Sequence, residues 1–291
     1  MRRSRPGQIV RLLVLGLPLI VIAGLILGPL LITLVVSVFE KRGFGISPAF
    51  TLDSYRLFFT GVRLEVLQRS FGVAISSTAI MLLIAYPIAY LITLRVRPEH
   101  TRAFLFLFAV PFLVNPIVRT FAWADILGRT GPINAALIRL GLIERPLDWL
   151  LFSDFAVYLG LVTAYMPFMI FPIWLSLAGI DRRLLEASWV LGEAPLATFW
   201  RVTLPLSLPG VFAAAIFGFV GAFGEVAVSL ILGGVGYQLL GNAIASALDV
   251  LHYPLAAAIS TVATGLMLAL LLLWYRLFDV RLLLGKIMGR A

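Results

Sequence analysis

Five stretches of this chain run for 23 residues or more without a charged side chain, and they decide the solvent in which it folds. They are Leu12–Phe39 (28 residues), Ser70–Leu94 (25), Phe155–Ile180 (26), Val202–Gly224 (23) and Tyr253–Tyr275 (23). An α-helix needs ~20 residues to cross about 30 Å of hydrocarbon. Composition agrees. The chain is 61% hydrophobic and 13% charged, where a soluble domain carries roughly 25% charged residues. Too few charges remain to cover a water-facing surface. Soluble enzymes, disordered chains and coiled coils are excluded, and a polytopic membrane protein is expected.

Two segments need interpretation. The run from Val202 holds Pro205 and Pro209. Pro is tolerated in the first turn of a helix, so this helix is expected to start near Pro209 and to reach Leu232. A further apolar segment, 103–125, holds Pro111, Pro116 and Arg119. It reads as one helix kinked in its middle, with Arg119 near an interface. The expected spans are about 12–39, 70–94, 103–125, 155–180, 209–232 and 253–276. They make one all-α integral membrane domain, residues 1–291, with six transmembrane helices. The first run follows the basic leader Met1-Arg2-Arg3-Ser4-Arg5. A cleavable signal core is ~7–15 residues, so this run is read as a retained span.

The net charge of +9 does not signal nucleic acid. Of the 23 basic residues 21 are Arg, mostly at the ends of apolar runs, where membrane topology puts them. There is no continuous basic face for a phosphate backbone. Placing both termini in the cytoplasm leaves 14 Lys or Arg in 64 inside residues and 8 in 78 outside residues. That asymmetry selects the orientation. Two outside segments read as short helices, 132–142 behind Pro132 and 240–251, where Leu240, Ile244, Leu248 and Leu251 recur at helical spacing.

The inside loop 181–205 carries the strongest local signal. Asp181 is a good N-cap for a short helix, and Gly192 can take the left-handed conformation that ends one. A second helix is expected over 196–203, with a break at Pro205. The apolar Leu185, Trp189 and Val190 are costly to leave in water, and a partner groove would cover them. From physics alone, a docking element for a soluble partner and an ordinary loop packed on its own bundle are equally good readings.

The sequence also carries a resemblance. Glu186-Ala187-Ser188, three residues, Gly192, nine residues, Val202, one residue and Leu204-Pro205 resemble the signature loop of ABC import permeases. Ser188 stands where that pattern has a second Ala, and Val202 where it has Ile. Pro111-Phe112, Asn115, Arg119 and Trp123, then Met166-Pro167-Phe168, then Gly233-Gly234 and Leu240-Gly241-Asn242 with Ile244, are similar to spermidine/putrescine-type permeases, on the first-permease branch. The resemblance implies a type I permease bundle in the bacterial cytoplasmic (inner) membrane. It implies that Glu186, Ala187, Ser188, Gly192, Leu204 and Pro205 belong to a coupling loop that seats on an ATP-binding subunit. It implies a second permease, two ATP-binding subunits and an external solute-binding protein as partners. The solute would be a small organic molecule, a polyamine such as spermidine or putrescine. Opine-type and other organic-cation importers share much of the pattern, and the Gly224-Glu225 pair also resembles one in anion-importing permeases, so an opine, another organic cation or an anion is the alternative solute.

Ionisable residues inside spans mark a pathway or a partner. Glu225, Asp125 and Arg119 qualify, with Trp123 and the mid-span Tyr165 as aromatic candidates for the pathway; Trp123, near a span end, has an alternative as an interface anchor. Glu225 has an alternative as a packing residue paired with Arg119 or with backbone donors. Asp125 has one as an interfacial acid. Arg119 has one as a side chain snorkelling to headgroups. Pro87, Pro111, Pro116, Pro167 and Pro172 are candidate kink points. No catalytic constellation is present. His100 and His252 are too separated in the topology to share a metal, cysteine is absent, and no phosphate-cradling Gly-Lys-Ser/Thr loop occurs. No cofactor is expected on this chain; ATP and Mg would be held by the partner.

Overall fold

The computed structural model describes the backbone of residues 5–277. Residues 1–4 of the basic leader and the basic tail 278–291 lie outside the described residues. The chain divides into two compact units. One comprises residues 1–64 and 243–269; the other comprises 65–242 and 270–291.

The first unit contains α1 (Arg5–Val36), β1 (Phe39–Arg42), β2 (Gly45–Phe50) and α2 (Asp53–Phe59). The first span was expected to run to Phe39, but the helix stops at Val36 and the chain turns into a two-stranded antiparallel hairpin. The fold is therefore helical with one small sheet. Gly43, at φ +56°, supplies the left-handed residue that a tight hairpin turn requires. Ser37 Oγ and Tyr55 Oη lie 2.7 Å apart, tying the end of α1 to α2. From Pro18 to Val36, α1 shows its apolar side chains outward, as suits a helix solvated by lipid. His252 caps the start of α13 (Tyr253–Leu277), its Nδ1 accepting from Leu255 N at 3.2 Å. Burial, then Lys41 and Arg63, hold the imidazole pKa below its usual value; the neutral ring keeps that lone pair available.

The second unit is built on α3 (Val62–Leu94), α7 (Asp154–Ala178) and α10 (Leu204–Phe223). Its core is Met81, Ala85 and Ala89 of α3 with Met169, Ile170 and Ile173 of α7 and Ala214 of α10. Small residues let α10 approach α7 closely. A Cβ at Gly210 would collide with the Pro172 carbonyl and Ser176, and one at Gly221 with the Tyr165 ring. Pro87, Pro167 and Pro172 sit inside unbroken helices.

Among the described residues five helical segments are long and apolar enough to cross a membrane: Pro18–Val36, Val62–Leu94, Asp154–Ala178, Pro195–Phe223 and Tyr253–Arg276. The segment expected as one kinked helix over 103–125 is instead two. Helix α4 (Pro98–Ala109) passes through a 3₁₀ turn, Val110–Leu113, to an extended Val114–Asn115, and α5 (Pro116–Leu127) restarts the helix. Each helix has 12 residues, about 18 Å of rise. Pro111 and Pro116 both lack an N–H, so the backbone cannot carry one ladder across this stretch.

Helix α6 (Pro132–Arg139) begins on Pro132 as expected, and α12 (Leu240–Asp249) matches the apolar spacing read from sequence.

Candidate functional site

The hairpin between α7 and α10 is formed by α8 (Arg182–Val190), a turn and α9 (Pro195–Thr198). Asp181 caps α8, its side chain accepting from Arg183 N at 3.0 Å. Gly192 sits at φ +85°, where a side chain would be strained. Inside the hairpin the Ser188 and Thr198 hydroxyls lie 2.8 Å apart and both are buried. Arg201 and Glu193 form an ion pair across its mouth.

Two expectations for this hairpin need correction. Leu185 is not offered to a partner; it is only 8% exposed and packs on its own unit. Trp189, Val190 (88%) and Leu191 (83%) are exposed, together with Leu196 and Trp200. Nor does the chain break at Pro205. Residues Phe199–Thr203 form a π turn that leads directly into α10. Leu204 N reaches back to the Phe199 carbonyl, five residues away. The widened turn shifts the ladder by one residue just where Pro205 has no N–H to give. Phe199 is wedged edge-on against Tyr86 and Tyr90 (5.8 and 5.6 Å between centroids), and Tyr86 Oη meets Ser207 Oγ at 2.9 Å. Helix α10 thus begins before Pro209 and ends at Phe223, well short of the expected Leu232.

Past Phe223 the helix is interrupted at Gly224–Val226 and resumes as α11 (Ala227–Leu232), which packs on α5 and α7. Glu225 lies in this interruption. Its Oε1 accepts from Ala227 N (2.9 Å) and Val228 N (3.2 Å), and Oε2 accepts from the Tyr165 hydroxyl. The carboxylate satisfies amides that a helix start leaves without partners. Ser229 donates to Asn242 Oδ1 at 2.6 Å, fixing α11 to the start of α12.

Arg119 answers the other interruption. Its Nη1 donates to the Pro111 carbonyl at 3.1 Å, and Asn115 Oδ1 accepts from Ile117 N at 2.9 Å. Among the described residues Arg119 and Glu225 form no ion pair. Asp125 is exposed and Trp123 half-buried, both on α5. The structure therefore joins Glu225 to Tyr165 and holds Arg119 on a carbonyl. Of the coupling-loop residues, Glu186, Ala187, Gly192 and Pro205 are exposed, Leu204 is half-buried and Ser188 is buried. The Ser188–Thr198 contact was not read from sequence, although two hydroxyl residues ten apart astride a Gly turn were its visible signal.

A family model described as "Binding-protein-dependent transport system inner membrane component" matches residues 100–283. The chain belongs to this family. It is 34% identical over 254 residues to the spermidine/putrescine transport system permease protein PotB of Haemophilus influenzae, covering 86% of this chain and 88% of that one. Against PotB of Escherichia coli the identity is 35% over 231 residues, covering 78% and 82%. The fold is similar to a solved bacterial ABC transporter involved in importing the acidic polysaccharide alginate, with TM-score 0.71 and 15% identity over 94% of this chain and 98% of that one. The protein is a multi-pass transport permease of the inner membrane, with the ABC importer permease fold. Membership in the family implies an ATP-driven system whose ATPase is a separate chain.

Proposed function

We propose that this chain is one of two permease subunits of a polyamine importer and that a spermidine- or putrescine-like cation crosses the membrane between them. The observation that carries this reading is 34–35% identity to PotB permeases over most of both chains. Two ATP-binding subunits dock on the inner face, one on each permease, and an external binding protein delivers the solute. Both termini are cytoplasmic in this reading, consistent with the arginine distribution.

Coupling runs through the hairpin 181–205. The exposed Trp189, Val190, Leu191 and Leu196 offer the ATPase an apolar ridge, with Glu186 exposed beside them. Taking such side chains out of water favours association. Movement of the ATPases shifts the hairpin, and the bundle changes its open side; coupling of this kind needs a two-state element that both ends bias. On the path itself, the Glu225–Tyr165 pair offers a carboxylate and a ring face. Three hydrogen bonds occupy Glu225, and a carboxylate has about four acceptor sites, so capacity remains for a passing ammonium. Asp125, Arg119 and Trp123 flank that path on α5.

The test is Gly192→Pro and, separately, Glu186→Lys. Proline cannot adopt the φ of Gly192, and lysine reverses a charge on the docking ridge. Each variant should insert at normal levels while ATPase co-purification and labelled-spermidine uptake fall about tenfold, equivalent to ~1.4 kcal/mol. Wild-type co-purification and uptake in both variants would remove the docking assignment. Uptake of an opine or an anion in place of spermidine by the intact wild-type system would remove the solute assignment and leave the docking one standing.

A further inference from the structure

The second unit holds a cavity of about 340 Å³ at the arginine-rich end of its spans, within the ~300–1,000 Å³ range of ligand sites. Its apolar wall comes from the last turns of α3 and α7, including Ile92, Leu177 and Trp174, and from Leu105 of α4. Its polar wall comes from Arg102 of α4, Arg182 of α8 and the hydroxyl residues Thr93, Thr101 and Thr203. No acidic side chain lines it. Neither Arg102 nor Arg182 has an ion-pair partner among the described residues. The nearest acids in sequence are committed elsewhere, Asp181 to Arg183 N and Glu99 to Arg97.

We infer that this cavity is a binding site for the headgroup of an anionic phospholipid. The chemistry is specific at both ends. A phosphodiester takes charge-assisted hydrogen bonds from guanidinium groups, and the two arginines supply its donors, since the Thr93 and Thr101 hydroxyls donate to the Ala89 and Arg97 carbonyls. The adjoining apolar wall, at the ends of two spans, receives the glycerol and the first acyl carbons, and an aromatic such as Trp174 suits the headgroup level. Basic pockets between membrane helices on the cytoplasmic side recognise anionic headgroups for these reasons. A soluble anion would gain nothing from Ile92, Leu105 and Leu177, which commits the site to a lipid. Because one arginine is on α4 and the other on the first turn of α8, the bound phosphate clamps the hairpin to the unit beneath it.

The test uses the complete transporter, permeases with ATPases, stripped of lipid in detergent and then exposed to vesicles of phosphatidylcholine with or without phosphatidylglycerol. Lipid retained per complex is read by quantitative mass spectrometry, a measurement that does not depend on which solute is carried. The wild type should retain phosphatidylglycerol over phosphatidylcholine by about tenfold, the equivalent of ~1.4 kcal/mol. Arg102→Gln combined with Arg182→Gln should abolish the preference. Arg183→Gln, which does not line the cavity, should leave it intact, and Arg102→Lys with Arg182→Lys should keep most of it by retaining both charges. Millimolar inorganic phosphate should not displace the lipid. Equal retention of the two lipids by the wild type, an undiminished preference in the double glutamine variant, or displacement by inorganic phosphate would each overturn the assignment. If the glutamine pair fails to assemble, the wild-type comparison and the lysine pair decide the matter alone.

Discussion

The two interruptions in the second unit, at Val114–Asn115 and at Gly224–Val226, are each bridged by a charged side chain, and the two charges are opposite. At the first, the Pro111 oxygen accepts from Val114 N at 3.4 Å, and a cation adds a second donor: Arg119 reaches the same oxygen at 3.1 Å. At the second, α11 begins with amides that have no carbonyls, and an anion supplies the acceptor: Glu225 takes Ala227 N and Val228 N. In hydrocarbon an unsatisfied backbone group costs several kcal/mol, a cost that the Glu225 carboxylate removes for two amides at the second break. The difference is in what else the charge does. Arg119 is held on one carbonyl. Glu225 also binds Tyr165 on α7, so it joins two helices as well as capping one. An ionisable residue within a span answers to the backbone before it answers to a solute.

Substitutions at the two breaks separate the two roles. The largest effect is expected for Glu225→Leu, which strands two amides and the Tyr165 hydroxyl. The assembled transporter should lose about 3 kcal/mol of stability, at one to three per orphaned buried group. Glu225→Gln keeps an acceptor oxygen for both amides and should recover most of that loss, as read by thermal unfolding in detergent. Should the leucine variant unfold at the wild-type temperature, the capping role of Glu225 is untenable. Arg119→Leu removes one charge-assisted bond and should cost about 1.5–3 kcal/mol in the same assay. If Arg119→Leu proves more damaging than Glu225→Leu, the ranking of the two breaks is inverted. Asn115→Ala deletes the N-cap of α5 and should cost about 1 kcal/mol. Its effect should be less than additive with that of Arg119→Leu, because both serve the same interruption.

Charged residues marked some helix ends and not others. Asp154 and Asp181 bracket the run Phe155–Ile180, and α7 fills it almost to both marks; Arg95 marks the end of α3, but its start lies at Val62, seven residues before Arg69. The sequence disclosed the α8 cap and the Gly192 turn, since Asp and Gly act through local backbone chemistry. Elsewhere it was less informative, because proline is ambiguous. Pro87, Pro167 and Pro172 are absorbed by packed helices, Pro205 is accommodated by a π turn, and Pro111 with Pro116 breaks the chain outright. Only tertiary packing distinguishes these outcomes. Periodicity likewise could not say that Leu185 turns inward while Val190 turns out, since both lie on an amphipathic nine-residue helix. The Glu225–Tyr165 pair, sixty residues apart, is a product of the α7–α10 contact and has no local signature.

From Pro195 to Phe223 the chain winds without a gap through α9, the π turn and α10. A hydroxyl staple locks its near end to α8. Torque applied at Thr198 therefore meets no soft joint until Gly224, on the far side of the span. In the proposed importer the segment would serve as a drive shaft, with Glu225 at the first joint beyond it.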